Sequence, residues 1–102
     1  MSPHTWQIVP LKSARETIHR LPPELRDEII DCVIAELNHP DPGRTIAVDV
    51  NGAACLLTVL SNGWVAVYRV DESVRARRRF RHDRILALYD LAPLSAWVVG
   101  RG

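Results

Sequence analysis

The sequence predicts an α+β fold in which two N-terminal helices pack on one face of an antiparallel sheet of four to five strands. Three observations carry this prediction. The chain has 102 residues, of which 47% are hydrophobic and 25% charged, which suits one globular domain spanning residues 1–102. Hydrophobic residues recur with a helical period before Arg44 and with a period of about two after it. Two Asn-Gly pairs interrupt the second part, and Asn-Gly favours the positive φ angles of tight hairpin turns.

The N-terminal part is predicted to form one strand and two helices. Thr5–Pro10 alternates like a strand, and its final proline favours a sheet edge or a strand end because proline has no N–H to donate. Ser13–Leu21 is predicted as a short helix, which Pro22-Pro23 ends. Glu24–Leu37 is predicted as a second, amphipathic helix. Its apolar stripe is predicted to be core and comprises Leu25, Ile29, Ile30, Val33, Ile34 and Leu37.

Four further strands are predicted after the proline-rich loop that follows the second helix, giving the element order β-α-α-β-β-β-β. They are Thr45–Val50, Ala54–Leu60, Trp64–Val70 and Ile85–Leu91. A short closing strand is predicted in the tail at Trp97–Val99.

The strand Trp64–Val70 is apolar on both sides, so either face could cover the helices. Successive strand residues point to opposite faces. One face therefore carries Trp64, Ala66, Tyr68 and Val70, and the other carries Val65, Val67 and Arg69.

Charge is unevenly distributed along the chain, although the net charge is only +1. Residues 1–72 hold six Lys or Arg and ten Asp or Glu, a balance of −4. Residues 73–102 hold seven Arg and two Asp, a balance of +5. We therefore expect the C-terminal third to make any electrostatic contact with a partner.

Composition also excludes several classes of protein. No apolar stretch approaches the ~20 residues that a membrane-spanning helix needs, and residues 1–20 lack the apolar core of a secretory signal. Cys32 and Cys55 lie among apolar neighbours without metal-site spacing, which favours free thiols in a cytoplasmic protein. The histidines also lack ligand spacing, so neither a metal nor a cofactor is predicted.

An ordered series of segments resembles the RelE/ParE superfamily of type II toxin–antitoxin toxins across about residues 4–92. The segments are an aromatic-containing first strand, a Leu-Pro-Pro-Glu-Leu-Arg step, a proline-rich loop and a strand that opens with Gly-Trp. They correspond to Trp6–Val9, Leu21–Arg26, Leu37–Gly43 and Gly63–Asp71. The resemblance implies a toxin with a cognate antitoxin. Its target would be mRNA at the ribosome, cleaved without a metal, or DNA gyrase.

The resemblance also implies where basic catalytic residues would stand. RelE-like nucleases usually carry an arginine three residues before the strand tyrosine, and here that position holds Val65. A second arginine, common on the preceding strand, corresponds to about Thr58. In the loop before the hairpin, Arg44 is the basic residue that remains. Endoribonuclease activity is thus left open, with three candidates for a catalytic role: His82, Arg69 and Tyr89.

Each of these candidates has a specific alternative, and for Tyr89 it is a half-buried phenol without a catalytic role. His82, between arginines, could act as a neutral general base or could be an ordinary surface histidine. Arg69 is either a phosphate ligand on an open sheet face or an ion-pair partner of Asp71 or Asp90.

The main candidate site is an arginine-rich segment, Val74–Arg84, which holds six arginines in eleven residues. Guanidinium groups bind phosphate bidentately, and an aromatic ring among them can stack on a base. The segment is interpreted as a nucleic-acid contact, as a dock for an acidic antitoxin segment, or as a solvated loop. The predicted nucleic-acid-binding residues are Arg44, Arg75, Arg77, Arg78, Arg79, Phe80, Arg81 and Arg84.

Two hypotheses follow. In the first, the chain is a toxin that acts on RNA, the ribosome or another nucleic-acid-linked target through a basic hairpin. In the second, it is a catalytically silent protein–protein interaction module with the same fold. The apolar strand faces exceed what two helices can hide, so either an antitoxin helix or a second copy, forming a homodimer, is expected to cover the rest.

Overall fold

The computed structural model describes residues 7–71 and 85–96. It is an α+β fold, as predicted, with two helices between β1 and β2 and a five-stranded sheet in the order β1-β5-β4-β3-β2. The helices are α1 (Lys12–Arg20) and α2 (Pro23–Asn38). The strands are β1 (Gln7–Pro10), β2 (Thr45–Val50), β3 (Ala53–Val59), β4 (Trp64–Asp71) and β5 (Ile85–Pro93). A 3₁₀ turn at Pro42–Arg44 leads into β2.

The sheet is mixed, whereas the sequence predicted antiparallel pairing throughout. Strands β2 to β5 pair antiparallel with their neighbours, but β1 runs parallel to β5, from Gln7 opposite Ile85 to Pro10 opposite Leu88. The antiparallel β2–β3 and β3–β4 pairs are joined by tight turns, which set their direction. Strand β1 is separated from β5 by both helices and three strands, so no turn sets its direction. Strand β1 lies at an edge of the sheet and Pro10 is its last residue, so both positions expected for this proline are observed.

One face of the sheet packs against both helices and forms the larger core. Ala66 and Tyr68 of β4 are buried in it, with Trp64 packed against them, so the first of the two predicted β4 faces covers the helices. The helices contribute Ala14 from α1 and Ile29, Val33 and Leu37 from α2. The sheet adds Leu86, Leu88 and Leu91, and Leu60 follows the end of β3.

The prediction that Ile34 belongs to the core is wrong. Its residue surface is 49% exposed, although its neighbour Val33 is 4% exposed. Consecutive helix positions differ by about 100°, so burying the Ile29–Val33–Leu37 stripe turns Ile34 toward the helix edge. Leu25 and Ile30 are half-buried.

The two Asn-Gly pairs form different turns. Asn51 and Gly52 both have positive φ, 53° and 85°, as a two-residue β2–β3 hairpin requires. At the β3–β4 connection only Gly63 has positive φ, 87°, and its N–H donates to the Leu60 carbonyl at 3.1 Å. The Asn62 side chain there accepts from the Trp64 N–H at 3.1 Å.

Helix α2 also holds the β3–β4 turn in place. The Ser61 N–H donates to Glu36 Oε1 at 2.9 Å, and the Ser61 hydroxyl donates to Glu36 Oε2 at 2.8 Å. One carboxylate therefore ties the helix to the tip of a hairpin 25 residues further along the chain.

Several predicted features lie outside the described residues. They are the N-terminal end of the first strand, the arginine-rich segment Val74–Arg84 and the tail strand at Trp97–Val99. In the described part of the chain, no helix is long and apolar enough to cross a membrane.

Candidate functional site

The structure places three of the predicted site residues, on three different elements. Arg44 ends the 3₁₀ turn before β2, Arg69 lies near the end of β4, and Tyr89 lies in β5. His82 and Phe80 lie outside the described residues, together with Arg75, Arg77, Arg78, Arg79, Arg81 and Arg84. The part of the predicted site that the structure describes is therefore the sheet face opposite the helices, together with its surroundings.

That second face is apolar at its centre. Cys55 and Leu57 of β3 and Val65 and Val67 of β4 form a cluster whose members are at most 4% exposed. Val48, Val59, Tyr89 and Ala92 are among the half-buried residues packed around it. An apolar floor cannot hold a phosphate, so any anion contact here depends on the few polar groups near the cluster.

Arg69 is the cation that strand alternation places on this face. It pairs with Ala87 of β5, which in turn pairs with Val9 of β1, so its cross-strand neighbours on that side are apolar. The Arg69 side chain is exposed. The ion pairs between described residues join Arg20 to Glu16 and Arg44 to Asp41, and neither includes Arg69.

Asp90, one of the two expected partners of Arg69, is engaged elsewhere. Its Oδ1 accepts from the Ser13 hydroxyl at 3.0 Å and from the Leu91 N–H at 2.9 Å. Asp90 lies in β5 opposite Val67, next to the register shift between β4 and β5 at Val67 and Tyr68. Of the two carboxylates expected as ion-pair partners, Asp90 does not pair with Arg69, and within residues 7–71 and 85–96 no ion pair includes Arg69.

Arg44 does not join Arg69. Its Nε lies 4.0 Å from Asp41 Oδ2, and both side chains are at least half exposed, so this contact contributes little stability. Arg44 precedes β2 at one edge of the sheet, whereas Arg69 lies two strands away on β4. The structure does not bring these two arginines together into one phosphate site.

Both positions at which the resemblance implied an arginine are buried. Val65 is 0% exposed in the second-face cluster. Thr58 is 1% exposed, and its cross-strand partner Ala66 lies in the helix-facing core. The two positions therefore lie on opposite faces of the sheet, and neither carries a charge.

Thr58 instead belongs to a chain of hydroxyl groups. The Thr45 hydroxyl donates to the Asp41 carbonyl oxygen at 2.8 Å, so it must accept from Thr58 at 2.9 Å. The Thr58 proton is then used, and Thr58 accepts from the Tyr68 hydroxyl at 2.8 Å. The phenol of Tyr68 is thereby satisfied inside the core and is committed to a structural role.

Both cysteines are free thiols, as predicted, and both are held in the protonated form. Burial raises the pKa of the Cys55 thiol, and the charge of Arg69 lowers it only in part. Burial also raises the pKa of the half-buried Cys32 thiol, against a Ser61 hydrogen bond that lowers it. Because the thiolate is the reactive form, neither residue is an activated nucleophile.

An apolar groove was not foreseen from the sequence. It has a volume of about 170 Å³ and lies between β1, the two helices and β5. Its lining residues are Ile8, Pro10, Ile18, Ile30, Val33, Ile34, Leu88 and Leu91. One feature of the sequence could have indicated this groove. The apolar stripe of α2 is wide, because Ile30 and Ile34 lie beside the buried row of the helix. Within residues 7–71 and 85–96, no cluster of His, Cys, Asp or Glu could hold a metal ion.

Comparison with known proteins supports the architecture. No protein-family model matches the chain. No curated protein matches it either. Among solved structures, it is similar to a chain of the toxin–antitoxin complex RelBE2 from Mycobacterium tuberculosis, with a TM-score of 0.60 and 13% sequence identity. The match covers 87% of this chain and 98% of that one. The chain therefore shares the fold of that chain of the RelBE2 complex.

Proposed function

We propose that this chain is the toxin component of a type II toxin–antitoxin system and that it acts by contacting RNA, the ribosome or another nucleic-acid-linked target. The observation that carries the proposal is the match of its fold, over 87% of its length, to a chain of a toxin–antitoxin complex. The contact is assigned to the arginine-rich segment, whose six arginines give the C-terminal third its positive charge.

The residues of the sheet favour binding of the target over RNA cleavage at the positions where RelE-like nucleases carry arginines. Metal-independent RNA cleavage needs several cations around one phosphate, because charge develops on that phosphate in the transition state. On the sheet, Val65 and Thr58 are buried and uncharged, and Arg69 stands apart from Arg44. A toxin built this way binds its target through the arginine-rich segment.

A cognate antitoxin is part of the proposal. The apolar groove between β1 and the helices is of the kind that an amphipathic helix fills with residues at i, i+3 and i+4. Ile34 is half exposed along this groove and would be covered by such a helix. The system is expected to operate in the cytoplasm.

A second candidate function is a catalytically silent protein–protein interaction module with the same fold. The burial of Val65 and Thr58 favours it, because these positions are where a RelE-like nuclease would carry arginines. The two functions differ in one outcome: a toxin arrests growth when it is expressed without its antitoxin, and a silent module does not.

Inducible expression in a bacterial host tests the proposal. The parental chain should arrest growth, and the product of the adjacent reading frame should restore it. The variant Arg77→Ala/Arg78→Ala/Arg79→Ala should lose the arrest because it loses the phosphate-binding guanidinium groups. The matched control, Lys12→Ala/Arg15→Ala/Arg20→Ala, removes as many charges from the exposed face of α1 and should still arrest growth.

Transcript mapping during the arrest separates the mechanisms. Intact mRNA is expected if the protein acts by contact, and cleavage at defined sites would show nuclease activity. Absence of growth arrest at an expression level confirmed by immunoblot would contradict the toxin proposal and favour the silent module.

A further inference from the structure

We propose that the outer edge of β2 is a self-association surface, through which two copies of this chain pair their β2 strands antiparallel about a two-fold axis at Val48. The paired strands would join two five-stranded sheets into one continuous sheet. The inference is independent of the proposed toxin function.

Strand β2 has backbone groups available for pairing. A two-residue turn at Asn51-Gly52 closes the β2–β3 hairpin, so the flanking pair Val50–Ala53 exchanges both hydrogen bonds. Alternation then directs the N–H and C=O groups of Val48 and Ile46 to β3 and those of Ala47 and Asp49 outward. Among the described residues, no strand pairs with that outer side.

The β2 edge also lacks the features by which edge strands normally avoid pairing. Such features are proline, lysine, a bulge or a very short strand. Strand β1, at the opposite edge, is four residues long and ends in Pro10. Strand β2 has six residues and none of these features, and its single charged side chain, Asp49, accepts from the Gly52 N–H at 2.8 Å. The Asp49 carboxylate is thus held at the turn.

Exposure along β2 is consistent with a missing partner. Ile46 is 59% exposed, the largest value among the large hydrophobic residues of the described chain. It lies on the same face as Leu57, its cross-strand partner, which is 3% exposed. Ala47 and Asp49, whose backbone groups point outward, are exposed as well. The edge therefore combines free backbone groups with an uncovered apolar side chain.

The sequence of β2 is complementary to itself in one register. With the axis at Val48, Ala47 of one copy lies opposite Asp49 of the other, so two Asp49 side chains never face each other directly. Ile46 lies opposite Val50, and Val48 lies opposite its own copy, in the closely spaced pairs that bring side chains together. An axis at Ala47 would place Asp49 opposite Thr45, whose N–H already donates to the Pro42 carbonyl. The Val48 register therefore pairs every outward N–H and C=O group of Ala47 and Asp49, whereas the Ala47 axis leaves the Asp49 carbonyl of each copy without a donor.

This complementarity favours a second copy over an unrelated strand. The interface is one strand wide and smaller than a typical stable protein interface, so the dimer should be weak and concentration-dependent. In the dimer, two arginine-rich segments would belong to one particle, which would raise its avidity for a polyanion with two suitably spaced sites.

Sedimentation velocity of the full chain over a concentration series is the first test. The mass should rise from the single-chain value of 11.5 kDa toward twice that value. Ala47→Pro removes an outward N–H without touching the β3 ladder and should remain a monomer at every concentration. Ala47→Val keeps that N–H and should dimerise like the parent.

A second variant keeps the test valid if Ala47→Pro fails to fold. Ile46→Lys adds a charge at an already exposed position and should also stay monomeric, with an unchanged circular dichroism spectrum. A parental chain that stays at 11.5 kDa throughout would overturn the proposal. A dimer that persists in both Ala47→Pro and Ile46→Lys would equally overturn it.

Cysteine cross-linking tests the register. In a Cys32→Ala/Cys55→Ala background, Val48→Cys should oxidise to a covalent dimer, because position 48 faces its own copy across the axis. Val50→Cys lies on the same face, but its copy is about four residues away along the strand, roughly 13 Å, which is too far for a disulfide. Equal cross-linking of the two variants would overturn the Val48 axis.

Discussion

At the scale of single residues, the hydroxyl chain from Tyr68 through Thr58 and Thr45 to the Asp41 carbonyl makes a sharp stability prediction. Thr58→Val keeps the shape of the side chain but leaves the buried Tyr68 hydroxyl without its partner. We expect a loss of about 1–3 kcal/mol in the free energy of unfolding, measured by urea denaturation. Tyr68→Phe removes the hydroxyl itself and should cost less, about 1 kcal/mol.

The double variant completes this cycle. Because Thr58→Val/Tyr68→Phe removes both members of the buried pair, it leaves no unsatisfied phenol. Its total loss should be smaller than the sum of the two single losses. Strictly additive losses would contradict the assignment of a coupled hydroxyl chain.

The buried thiol of Cys55 predicts how stability varies at alkaline pH. Burial raises the pKa of Cys55 in the folded chain above its ordinary value of 9.0. The folded state then keeps a proton that the unfolded state releases, so the free energy of unfolding falls as pH rises above about 9. Cys55→Ala should show a shallower decline of the melting temperature between pH 8 and 10, measured by thermal denaturation. An identical decline in both proteins would refute this role of the thiol.

At the scale of elements, the contact of α2 with the β3–β4 turn carries the next prediction. Glu36→Ala removes the acceptor of two hydrogen bonds from Ser61 and should lower the free energy of unfolding by about 1 kcal/mol. The control is Asp31→Ala, an exposed acidic residue of the same helix, whereas the Ser61 N–H and hydroxyl donate to Glu36. Equal losses in the two variants would mean that the Glu36 contact contributes nothing specific.

Sequence patterns predicted the elements well where the signal is local. Pro10 indicated an edge position or a strand end for β1, the Asn-Gly pairs indicated the two hairpins, and alternation divided β4 into two faces. What the sequence left open depends on contacts distant in the chain. The parallel direction of β1 is set by β5, and the exposure of Ile34 depends on which row of α2 meets the sheet.

The candidate site was predictable only in part, for the same reason. Alternation along β4 predicted that Arg69 lies on the sheet face that points away from the helices. It did not predict that Asp90 would bond Ser13 of α1, a partner 77 residues away, and so leave the guanidinium without that carboxylate. The groove beside Ile34 was missed because its walls come from four elements that meet only in the folded chain.

At the scale of the whole molecule, charge and fold divide the chain into two parts. The described scaffold has a buried apolar sheet face on which Arg69 stands apart from Arg44, and the arginine-rich segment follows β4. In the proposed function, this segment, and not the sheet face, holds the target. Each lost phosphate contact should weaken the salt dependence of binding to single-stranded RNA by about 0.7 in the slope of log affinity against log salt.

The most direct test is the affinity for a labelled single-stranded RNA, measured by fluorescence anisotropy between about 50 and 300 mM salt. The Arg77→Ala/Arg78→Ala/Arg79→Ala variant should flatten that slope by about 2 relative to the parent. The Lys12→Ala/Arg15→Ala/Arg20→Ala control should keep the parental slope. A slope that is the same in all three proteins, or a parental affinity that does not change with salt, would contradict the account.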